Sequence, residues 1–173
     1  DHVETLGDTL ALIAAEKAGI IKSKVPVVVA PQSSEALEVF LRISTEMEAP
    51  IVHVDKQVSW QLRSADVEGQ SLDVAGLLGN YHVWIPLLGE HQIENAATAV
   101  ATVETLIDGG LDLSSEGIVE GLSRVSWPGR LEILSSRCAQ VVVDGAHNPN
   151  SIGRLVKAVR DYFRFQRVIL MFG

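Results

Sequence analysis

The chain has 173 residues, enough for one good domain or for one domain plus part of another. Its formal net charge of −8 argues against a general nucleic-acid or anionic-membrane surface, so any phosphate must be held by a few placed residues. Cys138 is the single cysteine, which excludes an internal disulfide and a cysteine-built zinc site.

Asp8 or Thr9 can cap a first helix that runs to Ala18, with Gly19 as its stop. Residues 24–30 read as a β-branched strand ended by Pro31. Ser33 or Ser34 then caps a helix over residues 35–48, with Leu37, Phe40, Leu41 and Ser44 on one face. Residues 50–54 form another short strand. Helix, strand, helix, strand is the pattern of a parallel sheet with helices packed on it.

Between Val58 and Leu88 the pattern changes to short alternating stretches, 58–62 and 81–85, around a middle containing Gly and Asp; this predicts an antiparallel ribbon or small sheet. Helical spacing returns with Ala96, Ala99, Val100, Val103, Leu106 and Ile107, and a shorter helix is expected over residues 114–122. Trp127-Pro128-Gly129-Arg130 is the strongest punctuation, since Pro-Gly breaks helix and strand alike. Beyond it stand residues 131–134, a strand over 140–143, a loop over 144–150 and a helix with Ile152, Leu155, Val156, Val159 and Phe163 on one face. A last strand is predicted over 167–172, making the tail a β-α-β unit. The chain reads as the middle of something longer.

No apolar run approaches the roughly 20 residues of a membrane span. The acidic start, Asp1 and Glu4, is unlike a signal peptide, and the expected setting is cytoplasmic.

Several residues are candidates for chemistry. Glu16-Lys17 closes a helix that is apolar nearly all round, which implies burial, and buried lysines are rare unless paired or modified. The competing reading is a cation in the last helical turn, favoured there by about 0.3–1 kcal/mol, although that leaves Glu16 unexplained. His2 beside Asp1 is either a metal-ligand pair or an exposed histidine. The strand 141–143 delivers Asp144 at its C-terminal end, where open α/β sheets bind ligands, and an acid there commonly takes ribose hydroxyls. His147-Asn148 can follow a base or phosphates, or the loop simply caps the next helix. It has one glycine rather than G-x-G-x-x-G, so dinucleotide binding is not supported. Arg130 can reach a phosphate with its planar fork or stand solvated. Asn95, at a helix start with His91-Gln92, can bond an adenine edge or act as a cap. The chain contains no G-x-x-x-x-G-K-[ST], hence no phosphate cradle of that type.

Four stretches occur together in order: D-H-x-x-x-L-G-x-T-L-x-x-I-A-x-E-K-A-G-I-I-K over residues 1–22, L-G-E-H-Q-I-E-N-A over 88–96, W-P-G-R-L-E over 127–132 and V-V-D-G-A-H-N-P over 142–149. This set resembles the folylpolyglutamate synthases and dihydrofolate synthases of the Mur ligase superfamily. The resemblance implies an α/β fold. Residues 1–126 would be the C-terminal part of a central ATP-binding domain, a mostly parallel sheet with helices plus a small antiparallel part. Residues 127–173 would begin a Rossmann-like glutamate-ligase domain.

The activity implied is ATP-dependent joining of L-glutamate to a dihydropteroate or folate carboxylate through an acyl phosphate, with ATP and Mg²⁺ as cofactors. His2 matches the family's magnesium ligand. Lys17 matches a lysine carbamylated by CO₂, whose carbamate orients Mg²⁺ or phosphate. Asn95 matches the adenine-binding asparagine, Arg130 the phosphate-binding arginine and Asp144 the ribose-binding aspartate, with His147 in the same loop. The P-loop would lie before Asp1 and the rest of the glutamate-ligase domain after Gly173. The isolated chain is therefore expected to be inactive, and the parent a monomer without nucleic-acid or membrane partners. The alternatives are a ligase acting on a UDP-linked muramyl peptide, which E-K-A-G-I-I-K argues against, and a non-catalytic nucleotide-binding module.

Overall fold

Capping side chains from Thr9, Ser33, Ser114 and Asn148 open helices of the computed structural model, which describes residues 9–134 and 140–173. Thr9 Oγ1 accepts from the Leu12 amide at 3.2 Å and starts helix α1, Leu10–Lys17, which tightens into a 3₁₀ turn over Ala18–Ile20. Strand β1 is Val27–Val29, shorter than the alternation suggests. Lys24 sits at φ 62°, outside the strand region, and Pro26 has no amide to give a ladder.

Helix α2, Ser34–Glu46, is capped by Ser33 and returns the chain to β2, Ile51–His53, which pairs with β1 in parallel, Val28 opposite Val52. A four-residue helix α3, Val54–Gln57, follows at once; it is too short to leave a periodic signature in the sequence.

The antiparallel region is a three-stranded meander: β3 (Ser59–Ala65), β4 (Gln70–Ala75) and β5 (Asn80–Ile85). Along β4 and β5 the period-2 pattern buries Leu72, Val74, Tyr81, Val83 and Ile85 on one face. Helix α4, Glu90–Asp108, lies on that face, and its Ala96, Ala97, Val100 and Ala101 let the two backbones approach closely. Helix α5, Ser115–Ser123, adds Ile118 to the same core. A fully buried side chain such as Leu72 contributes about 1.5–3 kcal/mol.

Past the Pro-Gly break, β6 (Glu132–Leu134) and β7 (Val141–Val143) pair antiparallel. Helix α6, Pro149–Tyr162, carries a capping box between Asn148 and Ser151, with Pro at its first turn. Leu88, Leu131, Ala158 and Phe163 form the small core beneath it.

Two expectations are corrected. Residues 167–172 form no strand, so the tail is a hairpin and a helix rather than β-α-β. A strand is a ladder, and among the described residues this segment has no neighbour to bond; Ile169, Leu170 and Met171 remain exposed. Burial of Lys17 is the second. It is exposed, because α1 buries only Ala14 and hands over to buried Ala18, while Leu10 and Leu12 face outward. At about 100° per residue Lys17 falls beside that narrow stripe rather than in it.

Candidate functional site

The loops on either side of the β6–β7 hairpin are joined through their backbones. Asp144 follows β7, and its carboxylate accepts from two amides at 2.8 Å: Oδ2 from Leu131 and Oδ1 from Ala146. The Gly145 amide donates to the Gly129 carbonyl at 2.9 Å, and the Gly129 amide to Glu132 Oε2 at 2.8 Å. Asp144 is thereby fixed in orientation, with a further lone pair on each oxygen still able to accept.

Arg130 stands on this junction, exposed, its guanidinium carbon 5.8 Å from the centroid of the Trp127 ring. His147 donates its backbone amide to Ser151 Oγ at 3.1 Å, and its Nδ1 lies 2.8 Å from the Gly145 carbonyl, which makes Nδ1 the protonated nitrogen.

The start of α4 faces the same junction. Gly89 caps it, and Asn95 donates from Nδ2 to Gln92 Oε1 at 3.0 Å, which leaves the Asn95 carbonyl available. His91 is half-buried. Burial pushes its imidazole below the usual histidine value, Arg154 and Arg130 act in the same direction, and Asp144 and Glu94 oppose them. His91 therefore sits within electrostatic reach of both Asp144 and Arg130. His91 and Asn95 are four residues apart, hence on one face of α4. That spacing is the signal by which His91 was findable in the sequence. Arg154, on α6, left no comparable mark.

Gln70 holds the approach. It is fully buried, donating from Nε2 to the carbonyls of Leu87 at 2.7 Å and Gly89 at 3.2 Å, and accepting at Oε1 from the Tyr162 hydroxyl at 2.6 Å. A Glu90–Lys157 ion pair closes the same contact from outside. Between α4 and α6 runs a cleft of about 560 Å³, lined by Trp60, Gly89, His91, Arg154, Lys157 and Tyr162.

Asp144, Arg130 and His147 thus share one junction; Leu88, just before α4, lies in one core with Leu131 beside it, and Asn95 stands one turn along that helix from His91. Lys17 ends α1, which packs on α2. His2 lies outside the described residues. No group of three His, Cys, Asp or Glu side chains suited to a metal occurs among the described residues. A lysine ammonium has donors only, so Lys17 fits a place beside Mg²⁺ solely as its carbamate.

Residues 129–173 match the family model described as Mur ligase, glutamate ligase domain. Over 98% of its length the chain is 35% identical to the dihydrofolate synthase/folylpolyglutamate synthase of Mycobacterium tuberculosis, covering 36% of that protein. The folylpolyglutamate synthase of M. tuberculosis solved with ADP and AMPPCP superposes with a TM-score of 0.85 at 37% identity, over 95% of this chain and 38% of that one. A folylpolyglutamate synthase in complex with AMPPCP and folate gives 0.87 at 31% identity, over 94% and 40%.

The chain belongs to the folylpolyglutamate and dihydrofolate synthase family. It spans about two fifths of the length of the relatives it matches. The match to the glutamate ligase model opens at Gly129, so Arg130, Asp144 and His147 all fall within it. Asn95 and Lys17 stand before it. Among the described residues no helix is long and apolar enough to cross a membrane.

Proposed function

We propose that the protein carrying this chain is an ATP-dependent ligase that joins L-glutamate to dihydropteroate, to a folyl-polyglutamate, or to both. The observation that carries this reading is the joining of the Arg130 and Asp144 loops through the Leu131–Asp144 and Gly145–Gly129 bonds, with Leu88, just before α4, in one core with Leu131. The relatives solved with ADP, AMPPCP and folate support it.

In this reading the Asn95 carbonyl accepts from the adenine amino group. Asp144, held by the Leu131 and Ala146 amides, accepts from ribose hydroxyls, and His147 lines the same side. Arg130 places its fork against the phosphates and offsets the charge that builds as the terminal phosphoryl group transfers. A substrate carboxylate oxygen bonds to that phosphorus as ADP leaves, giving an acyl phosphate. The glutamate amine then attacks the acyl carbon, loses a proton, and phosphate departs. Mg²⁺, when bound, neutralises phosphate charge; His2 and carbamylated Lys17 are assigned to holding it.

The same proposal divides the chain into an ATP-binding part, 1–126, and the start of a glutamate-ligase part, 127–173. The enzyme is taken to be a cytoplasmic monomer with small-molecule partners and neither nucleic-acid nor membrane partners, and the isolated chain to be inactive.

The test uses the protein of the complete reading frame. Phosphate release from MgATP is followed with L-glutamate and, in parallel, dihydropteroate, tetrahydrofolate or a UDP-muramyl peptide. Release that requires both glutamate and a pterin is the expected result. Release only with the muramyl substrate would overturn the reading. Turnover by the 173-residue chain at the full protein's rate would sink the expectation that it is inactive.

A further inference from the structure

An arginine that meets a transferring phosphoryl group must be held before the reaction, because a free side chain loses much of its rotamer entropy when it is fixed. Arg130 is exposed, and none of the ion pairs among the described residues involves it. Two uncharged neighbours contact it instead. On one side is Trp127, whose carbonyl accepts from the Arg130 amide at 3.3 Å and whose ring lies 5.8 Å from the guanidinium carbon. That separation is within the range of a cation–π contact. The Trp127 ring is 58% exposed and belongs to none of the buried clusters, so packing of the core does not account for it. On the other side is Gly145, where a Cβ would stand 2.5 Å from Arg130 Nη1. The guanidinium therefore rests against the backbone at a place only glycine leaves open. Gly145 has no left-handed backbone that would otherwise require glycine.

We propose that Trp127 and Gly145 are positioning residues for Arg130: the indole supplies a face, the missing Cβ supplies a seat, and together they aim the fork at the phosphates. The inference rests on the nucleotide-binding reading of Arg130. The backbone bonds that join the loops, Gly145 to Gly129 and Leu131 to Asp144, set the seat without using the guanidinium. The fork keeps its donors for a ligand.

The seat makes a clean test, because the atom that an alanine at 145 would strike is the far end of a flexible side chain. G145A displaces the guanidinium and leaves the fold alone. In the protein of the complete reading frame, kcat and the KM for MgATP are measured with thermal midpoints for G145A, W127A, W127F, R130A and the double variants G145A/R130A and W127A/R130A. G145A and W127A are each expected to lower kcat/KM for ATP by about tenfold or more at an unchanged midpoint. W127F, which keeps an aromatic face, recovers most of the W127A loss. In the R130A background neither substitution lowers activity further, since both act through Arg130. Wild-type kinetics for G145A and W127A beside an inactive R130A would overturn this inference and leave the nucleotide reading standing. So would losses that multiply in the R130A background, or that follow a fall in thermal midpoint. A fully active R130A would overturn both.

Discussion

The Tyr81 hydroxyl donates to Glu104 Oε1 at 2.9 Å, in a place where Glu104 has no exposed surface at all. The same carboxylate accepts from the amides of Leu77, Leu78 and Gly79 at 2.6, 2.8 and 3.0 Å. A side chain on α4 thus closes the β4–β5 turn. Through it the meander is tied to the helix that carries His91 and Asn95. A buried charge with four donors is tolerated; one with its donors removed is not.

Glu104→Ala strands three turn amides and a phenol in the core and is expected to destabilise the protein by about 3–5 kcal/mol. Glu104→Gln keeps one acceptor oxygen and loses less. Gly76→Ala tests the same contact from the other side, since a Cβ there would stand 2.3 Å from Glu104 Oε2, which the Leu77 amide fixes; a loss of about 1–3 kcal/mol follows. Urea unfolding of the three variants measures this. Wild-type midpoints would show that the turn does not depend on Glu104.

Burial, followed by the hydrogen bond to Glu104, pushes the Tyr81 phenol up to about 12 from 10.0. Above pH 10 the unfolded chain gives up this proton before the folded one does. Its contribution to stability is therefore complete below pH 10 and is lost as pH rises through about 12. Burial raises Tyr162 as well, so both tyrosines should ionise late in an ultraviolet titration. Tyr81→Phe should flatten the alkaline slope of stability against pH. An equally steep slope in the variant would contradict this.

His91 titrates in the opposite sense. Its folded value is lowered, chiefly by burial, so an unfolded chain takes up the proton first as pH falls below 6.5. The stability that neutral His91 contributes is complete above pH 6.5 and declines below it. The ring resonances should show a midpoint under 6.5, and Arg154→Ala should move that midpoint upward, because Arg154 is the second cause of the lowering. A midpoint at or above 6.5 in the unaltered protein would contradict a lowering led by burial.

Tyr162→Phe removes the one donor to Gln70 Oε1, a buried acceptor with no other described partner. The expected cost is about 1–3 kcal/mol, with faster hydrogen exchange at the start of α4, where Gln70 holds Leu87 and Gly89. Unchanged exchange there would show that the Gln70 link does not stiffen that turn.

What was legible in the sequence follows physical range. Thr9, Ser33 and Ser114 announced their helices because a cap acts on amides two or three residues away. Asp144 announced itself because β-branched residues run straight into an acid. Two of the meander's strands, β3 and β5, show in the sequence as alternating stretches, but β4 falls in the Gly- and Asp-containing middle between them, and its central place depends on pairings across turns. Glu104 gave no signal; its donors lie 23 to 27 residues back along the chain, in a turn whose shape the pairing decides. The 167–172 strand was over-read because alternation shows what a segment can do, while a ladder also needs a neighbour. The burial implied for Lys17 is not seen because a helix rich in apolar residues can still bury only its alanine stripe.

The central claim, glutamate ligation by the protein that carries this chain, is tested most directly on the product. The protein of the complete reading frame is incubated with MgATP, L-glutamate and either dihydropteroate or tetrahydrofolate, and the pterin fraction is examined by mass spectrometry, alongside the same reaction with Asp144→Ala. The account predicts a pterin heavier by one glutamyl unit that appears only with ATP and is strongly reduced in the variant. An unmodified pterin from either substrate, with ATP consumed only when a muramyl peptide is supplied, would contradict it.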